Sequence, residues 1–169
     1  MDDNAFSPDM APATAVEPLV IFQEEVFSAV LPELQAHWEA HYRETQREHE
    51  TMPLDVDIAT YQFMERQGKL ALVTMRVADN LVGYFLAFLH THLKSKQVLC
   101  AYVDAYYIAP AYRGRGGGEA LFRYVEVILK ARGVQRLFGD TKVWHNIGRM
   151  FARLGWTEVG IQYTKWIGD

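Results

Sequence analysis

The sequence is poor in cysteine and lacks basic residues near its start. It has one cysteine, Cys100, in 169 residues, so no disulfide can form within the chain. No Lys or Arg precedes Arg43, whereas a secretory signal peptide needs a basic start before an apolar block. The longest apolar run, near residues 81–89, has the length of a strand and not of a membrane span. We therefore expect a cytoplasmic protein that does not bind a membrane.

Length and composition suit one domain preceded by an arm. A chain of 169 residues that is 50% hydrophobic can bury a substantial core. Residues 1–17 contain two prolines and show no hydrophobic period, which predicts a flexible arm and leaves 18–169 for the domain.

Hydrophobic periodicity predicts a mixed α/β fold on one central sheet. Apolar residues at steps of three and four predict helices near residues 31–42, 57–68, 120–129 and 146–154. Runs rich in Val, Leu and aromatic residues predict strands near residues 19–22, 70–77, 81–90, 98–108, 134–141 and 157–167.

The stretch that begins at Asp104 carries a chemical pattern. It continues as a strand, a turn with Pro110, a glycine-rich loop at 113–118 and an amphipathic helix. Glycines before a helix expose backbone N–H groups, which bind anions together with the positive end of the helix dipole. Between Arg113 and Arg136, six basic residues against two acidic ones add a positive field. The loop therefore predicts a site for a polyanionic small molecule.

Two nucleotide-binding motifs fail on residue identity. The phosphate loop of nucleotide hydrolases needs Lys-Ser or Lys-Thr after its last glycine, and Glu119 follows Gly118. A dinucleotide fingerprint that starts at Gly114 needs glycine at position 119. A glycine-rich turn without a ligand is the alternative, although three consecutive glycines destabilise a helix start by about 1 kcal/mol or more. Nucleic acid is disfavoured as a partner, because a chain of net charge −4 offers no broad basic surface.

The same stretch resembles the acetyl-CoA motif of the GNAT N-acetyltransferases. Tyr-Ile-Ala-Pro-Ala-Tyr-Arg-Gly-Arg-Gly-Gly-Gly matches R/Q-x-x-G-x-G/A, with Arg113, Gly116 and Gly118 in the defined places. Leu154-Gly155-Trp156 is similar to the family's Leu-Gly-Phe, and the resemblance covers about residues 69–167. In detail the chain looks most like small bacteriophage or bacterial members. The resemblance implies a mostly antiparallel sheet of about six or seven strands with about four helices, splayed at the acetyl-CoA site.

The resemblance implies acetyl-CoA as the acyl donor and direct transfer to a primary amine of a small molecule or peptide. The backbone of Ile108 and Ala109 would bond the pantetheine arm and the acetyl carbonyl. The pyrophosphate would be held by the loop and the first helical turn, that is by Arg113, Gly114, Arg115, Gly116, Gly117, Gly118 and Glu119.

The family places the catalytic base two or four residues before the position of Ile108. Those positions hold Tyr106 and Asp104, which would share one face of a regular strand. Asp104 is the stronger candidate, because partial burial raises the pKa of a carboxylate toward neutrality. A structural carboxylate bonded to backbone or to an arginine is the alternative.

The second catalytic motif is altered. Phe151 stands where the family has its general acid, a tyrosine, so water, Tyr163 or the substrate ammonium would have to protonate the thiolate. The family's asparagine falls at Trp144, with Asn146 two residues further on. Phe151 and Asn146 are candidates for contact with the cofactor, and Trp144 for contact with the acceptor. A catalytically weak or silent acyl-CoA-binding module is therefore the alternative function.

The first long helix is expected to cover the acetyl group. Trp38, His41 and Tyr42 would then line the acceptor pocket. The first 42 residues carry eight acidic residues and no Lys or Arg, which favours a cationic acceptor such as a polyamine, an aminoglycoside or a basic side chain.

Two further patterns lie in the first long helix and near the C-terminus. His37 and His41 are four residues apart, but Trp38 stands where zinc peptidases have Glu, so no metal site is expected. A last strand rich in apolar residues could pair with another subunit and form a homodimer; these residues are Ile161, Tyr163 and Trp166.

Overall fold

A computed structural model describes residues 19–48 and 50–168. The strands in these residues are β1 Val20–Glu24, β2 Leu70–Val77, β3 Asn80–His92, β4 Ser95–Ile108 and β5 Arg136–Phe138. The α-helices are α1 Phe27–Thr45, α2 Ile58–Arg66, α3 Gly117–Ala131 and α4 Gly148–Arg153. A 3₁₀ turn, Pro110–Tyr112, joins β4 to the loop before α3. The predicted arm over 1–17 lies outside the described residues.

The strands form one sheet in the order β1-β2-β3-β4-β5, antiparallel except for the parallel pair β4–β5. Helix α3 packs on one face, where Phe122 and Val125 are buried against Phe85 of β3. Helices α1 and α2 pack on the other face, where Phe27 of α1 is buried near Tyr84. The predicted mixed α/β class with a mostly antiparallel sheet and four helices is confirmed. The described residues form five strands, however, and not six or seven.

The predicted last strand, Thr157–Ile167, is wrong. Residues 157–168 form no helix or strand, and Val159, Ile161 and Tyr163 are 71%, 74% and 88% exposed. An alternating apolar pattern specifies the two faces of a strand, but a strand also needs a neighbour to accept its hydrogen bonds. No strand in the described part of the chain supplies that edge to this segment.

A β-bulge in β4 separates the two candidate catalytic residues. Leu86 pairs with Ala105, whereas the next residue of β3 pairs with Val103, so Asp104 is an extra residue without a partner. An inserted residue reverses the alternation of faces beyond it. Asp104 therefore faces α2, while Tyr106 packs on the α3 side. The expectation that they share one strand face is wrong because of this bulge.

Strands β4 and β5 separate after a short parallel pairing. The last pair is Tyr102 with Phe138, where β5 ends, whereas β4 continues to Ile108. The outer edge of β4 therefore has no strand partner over residues 103–108 within the described chain. This is the predicted splay, and it leaves backbone groups available to a ligand.

Helix α1 begins four residues earlier than Leu31, its predicted start, because a distant carboxylate caps it. Val26 at the N-cap makes no side-chain hydrogen bond. Instead, Glu65 of α2 accepts hydrogen bonds from the backbone N–H of Phe27 and from the N–H and hydroxyl of Ser28. A carboxylate at a helix start satisfies free N–H groups and complements the helix dipole. The long-range cap fixes α1 against α2.

Replacing Glu65 with alanine is expected to lower the free energy of unfolding by about 1–2 kcal/mol, since it removes a helix cap. Denaturant titration measures the change. Glu39→Ala is the matched control on α1, because the Glu39 side chain is 61% exposed and, among the described residues, forms an ion pair with Arg43 alone. Its loss is expected to be less than about 0.5 kcal/mol. Equal losses for the two variants would contradict a capping role.

Candidate functional site

A cavity of about 560 Å³ opens beside the bulge, on the sheet face that carries α1 and α2. Its walls come from the second half of α1, the connection to α2, the middle of β4 and the segment that follows β5. Aromatic and ionisable side chains dominate its described lining, among them Trp38, His41, Tyr42, Asp55, Asp57, Tyr61, Tyr84, Asp104, Tyr106, Asp140, Lys142 and His145. The three predicted acceptor residues of α1 thus come together with both candidate bases.

Asp104 combines access to this cavity with an unusual carboxylate. Tyr61 of α2 donates a hydrogen bond to its Oδ2. The side chain remains open to the cavity, but the surrounding protein atoms bury the carboxylate enough to raise its pKa. The Tyr61 hydrogen bond opposes that increase, and the nearby Asp140 adds to it. An accessible carboxylate with a raised pKa is suited to accept a proton from a substrate.

His41 of the cavity wall has a strongly lowered pKa. Its Nδ1 lies 2.7 Å from the hydroxyl oxygen of Tyr84, and its ring centroid lies 5.2 Å from that of Tyr107. Burial lowers the pKa of His41 to about 4; Glu44 opposes the decrease and Arg113 adds to it. The imidazole is therefore neutral at pH 7 and presents a polar, uncharged wall.

The free energy of unfolding is expected to decrease as the pH falls from about 6.5 to about 4, because the unfolded chain then binds a proton that folded His41 does not. A pKa lowered from 6.5 to about 4 corresponds to about 3 kcal/mol. Denaturant titrations across this range should show a flatter dependence for His41→Asn than for the wild type. His41→Gln, which packs differently, should flatten it equally. Parallel curves for wild type and variants would contradict the assignment.

The glycine loop forms a backbone cradle at the start of α3. Gly114 and Gly116 have φ of +80° and +78°, which side chains disfavour. A helix leaves its first N–H groups without an intrahelical acceptor, so the amides of Gly117, Gly118 and Glu119 remain available as donors. These donors and the positive end of the helix dipole suit a phosphate group.

The packing beneath the cradle disfavours larger residues at Gly117 and Gly118. A Cβ at Gly117 would lie 3.0 Å from Met75 Cε, and one at Gly118 would lie 3.2 Å from Met150 Sδ. Arg115 is exposed and forms no ion pair with any described residue. The loop therefore offers bare amides and one available cation, as a pyrophosphate requires.

Arg113 ties this loop to α1. It forms an ion pair with Glu44 at 2.8 Å, and its Nε donates to the carbonyl of Ile108 at 2.6 Å. The amide of Ala109 donates to Val82 at 2.8 Å. These two backbone groups thus already have partners within the protein, and their assignment to the pantetheine arm stays a prediction.

The altered motif positions lie in different surroundings. Phe151 is buried and stacks on Trp156 with centroids 4.8 Å apart, while Asn146 accepts a hydrogen bond from the amide of Gly148. Trp144 does not belong to the described cavity lining and lies under Arg47, whose Cζ is 4.4 Å from the ring centroid. The structure thus brings Phe151 to the core near the splay and leaves Trp144 outside the cavity.

The sequence profile of the acetyltransferase (GNAT) family matches residues 31–156. The chain belongs to this family. It is an N-acetyltransferase by family, and acetyl-CoA is the acyl donor, as the family resemblance implied. The match begins in α1 and so extends further toward the N-terminus than the resemblance near residue 69. The bare cradle and the unpaired edge of β4 fit this donor.

Solved structures share the fold of this GNAT protein. An aminoglycoside acetyltransferase from an uncultured soil metagenomic sample has a TM-score of 0.69 at 12% identity and covers 88% of this chain and 97% of its own. A ribosomal-protein-alanine N-acetyltransferase from Brucella melitensis has 0.66 at 16%, covering 89% and 100%. A predicted acetyltransferase with acetyl-CoA from Clostridium acetobutylicum has 0.66 at 9%, covering 88% and 97%. A search of curated proteins finds no match.

Sequence reasoning missed three residues around the candidate base. Tyr61 falls within the helix predicted over 57–68, and nothing in that pattern shows that its hydroxyl donates a hydrogen bond to Asp104. Tyr84 lies in an apolar run, and Asp140 follows the short β5, so neither position attracts attention in the sequence. The available sequence signal for such a residue is a single tyrosine within an apolar segment, since a buried hydroxyl needs a hydrogen-bond partner.

None of the helices in residues 19–48 and 50–168 is both long and apolar enough to cross a membrane. Over the same residues, no three His, Cys, Asp or Glu side chains are grouped closely enough to hold a metal ion.

Proposed function

We propose that the protein transfers the acetyl group of acetyl-CoA directly to a primary amine held in the cavity. One observation carries the proposal. Asp104, an accessible carboxylate with a raised pKa, stands at a bulge in the strand whose outer edge is unpaired. A base is thus available beside the position at which the family binds its donor. Acetyl-CoA supplies the activated acyl group.

Different residues of the chain bind the donor, accept the proton and stabilise the developing charge. The loop amides from Gly114 to Glu119, with Arg115, hold the pyrophosphate, and the free edge of β4 aligns the arm of the donor. Asp104 takes the proton that the amine releases as it attacks, directly or through one water. Fixing both reactants makes the transfer effectively unimolecular. Backbone N–H groups of β4 that lack a strand partner stabilise the charge that develops on the carbonyl oxygen.

We further propose that the acceptor is cationic. The described lining of the cavity contains one lysine and four carboxylates, those of Asp55, Asp57, Asp104 and Asp140. That lysine, Lys142, is already paired with Asp140 at 3.1 Å. Aromatic side chains between the carboxylates provide faces on which an ammonium group binds favourably. A compound with several amines fits this lining, and aminoglycosides are acceptors of two relatives of the same fold.

The alternative is an acyl-CoA-binding module with little or no catalysis. The observation that favours it is Phe151, which cannot protonate a leaving thiolate. Calorimetry with acetyl-CoA tests both functions, because no saturable binding at about millimolar ligand, where even weak complexes form, would overturn both. Release of CoA across a panel of polyamines, aminoglycosides, amino acids and peptides separates them. Binding without release on any acceptor would favour the silent module.

A homodimer is also proposed, with the segment 157–168 as its contact. Its apolar side chains are exposed, Ile167 by 88% and Trp166 by 55%, and their burial against a second copy would be favourable. Sedimentation velocity measures the mass in solution. An origin in a bacteriophage remains a prediction from the sequence.

A further inference from the structure

The altered motif leaves the family's general acid unaccounted for. We propose that Tyr106 of β4 is the general acid of this enzyme and takes over the role of the tyrosine that Phe151 replaces. The inference rests on the proposed acetyl transfer to an amine. Tyr163, the other tyrosine considered for this role, is 88% exposed in the segment after α4 and does not line the cavity.

Tyr106 lies beside the family position of the acid. The bulge at Asp104 moves its side chain from the α2 face to the α3 face of the sheet. There its ring meets those of Phe122 and Phe151 edge to face, with centroid distances of 5.5 Å and 6.4 Å. Strand β4 therefore contributes the hydroxyl of Tyr106 to the ring cluster, to which α4 contributes the phenyl ring of Phe151.

The hydroxyl of Tyr106 spans the gap between the separating strands. It donates to the carbonyl oxygen of Asp140 at 3.1 Å, and Asp140 follows the end of β5 by two residues. Both residues also line the acceptor cavity. A proton on this oxygen thus lies at the junction of the cavity with the unpaired edge of β4, where acyl transfer must occur.

The protonation state of Tyr106 is compatible with this role. Burial raises the pKa of the phenol to about 12; Thr141 opposes the increase through a hydrogen bond and Asp140 adds to it. The group is therefore protonated at neutral pH and can donate.

Asp104 and Tyr106 account for the two proton transfers of the reaction. The amine nitrogen forms a bond to the acyl carbon, and the carbon–sulfur bond of the thioester breaks. Asp104 accepts one proton from the nitrogen, while Tyr106 gives one proton to the sulfur. Water then returns a proton to the phenolate and removes the one on Asp104. The products are an amide and a thiol, with both side chains restored.

Moving the tyrosine from position 106 to position 151 tests whether Tyr106 is the general acid. Tyr106→Phe is expected to lower kcat about 10²-fold, the low end of the range for a general acid. Adding Phe151→Tyr to that variant should restore kcat at least about tenfold, because the phenol returns one ring away. Tyr102→Phe on the same strand is the matched control and should leave kcat unchanged. A merely structural Tyr106 would not be rescued by a change at 151.

A binding measurement supplies a readout independent of turnover. Above about pH 9, where the CoA thiol is ionised, a tyrosine that donates to the sulfur should strengthen CoA binding. Tyr106→Phe should then weaken binding of CoA about tenfold, while desulfo-CoA, which has no sulfur, should bind both proteins equally. Calorimetry measures all four affinities.

The outcomes separate this inference from the proposed function. Suppose that the wild type is active. An unchanged kcat in Tyr106→Phe would then overturn the role of Tyr106 alone, and so would a decrease in kcat that adding Phe151→Tyr does not reverse. Equal weakening for CoA and desulfo-CoA would also overturn it. If none of the amines tested causes the wild-type protein to release CoA, the proposed function is overturned, and this inference is overturned with it.

Discussion

Asp104→Asn is expected to lower kcat by about 10²- to 10⁴-fold while the affinity for acetyl-CoA changes by less than about threefold. The asparagine can still accept the hydrogen bond from Tyr61, so the bulge and the cavity should persist. Only the ability to take a proton from the amine is lost. Steady-state release of CoA and calorimetry with acetyl-CoA measure the two effects.

The pH dependence of the wild type belongs to the same prediction. A base acts only when deprotonated, and burial raises the pKa of Asp104 above its usual 3.8. The acidic limb of kcat/KM should therefore lie above that value, with activity lost as the pH falls through it. The same raised pKa means that the charged carboxylate is disfavoured in the folded state. Asp104→Asn should thus be at least as stable as the wild type at pH 7.

A matched control exists at the β2–β3 turn. Asp79 has a φ of +66°, a conformation that asparagine also tolerates, so Asp79→Asn makes the same chemical change far from the cavity. Its turnover should equal that of the wild type. Unchanged turnover in Asp104→Asn itself would remove Asp104 as the base.

Gly118→Asp is expected to abolish tight binding of acetyl-CoA. Gly118 is the second residue of α3, so an aspartate there would add a carboxylate to the first helical turn, near the amides proposed to hold the pyrophosphate. Two like charges about 4 Å apart repel by about 4 kcal/mol at an effective dielectric constant of 20. We expect the affinity to fall about 10²- to 10³-fold in calorimetry. The helix should gain stability, because aspartate is favourable in the first turn and glycine is not.

Gly118→Ala separates charge from size at this position. The added Cβ would meet Met150 Sδ at 3.2 Å, and the end of a flexible side chain can move. The alanine variant should therefore lose less than about tenfold in affinity. Wild-type affinity in the aspartate variant would exclude the loop as the pyrophosphate site.

Local patterns predicted those parts of the fold that depend on neighbouring residues. The glycine loop, the stripe of α3 and the long strands follow from spacing and composition, and the family followed from the loop. The faces of Asp104 and Tyr106 could not be predicted, because the bulge depends on how β3 aligns with β4. Regular alternation is the default for a single strand, and one inserted residue reverses it.

Interactions between distant residues account for the remaining differences. Tyr61 meets Asp104 across 43 residues, and Glu65 reaches the start of α1 across 38. Neither contact leaves a pattern in the sequence around either partner. The last predicted strand failed for a related reason, since pairing depends on an edge elsewhere in the fold.

The short pairing between β4 and β5 has a consequence for motion. In the described residues, backbone hydrogen bonds join the final part of the sheet to the rest over three residue pairs, which end at Tyr102 and Phe138, and from the amide of Gln135 to the carbonyl of Leu99. Side chains supply the other attachments among the described residues: the ring cluster around Phe151, the hydroxyl of Tyr106 on the carbonyl of Asp140, the Arg153–Glu119 ion pair and the hydrogen bond from Trp156 to Glu126. A unit held by so few hydrogen bonds opens at a lower free energy than the whole domain unfolds. Amide exchange should therefore be faster from β5 onward than in β2 and β3. Because Asp140, Lys142 and His145 of this unit line the cavity, its local opening is expected to widen the cavity.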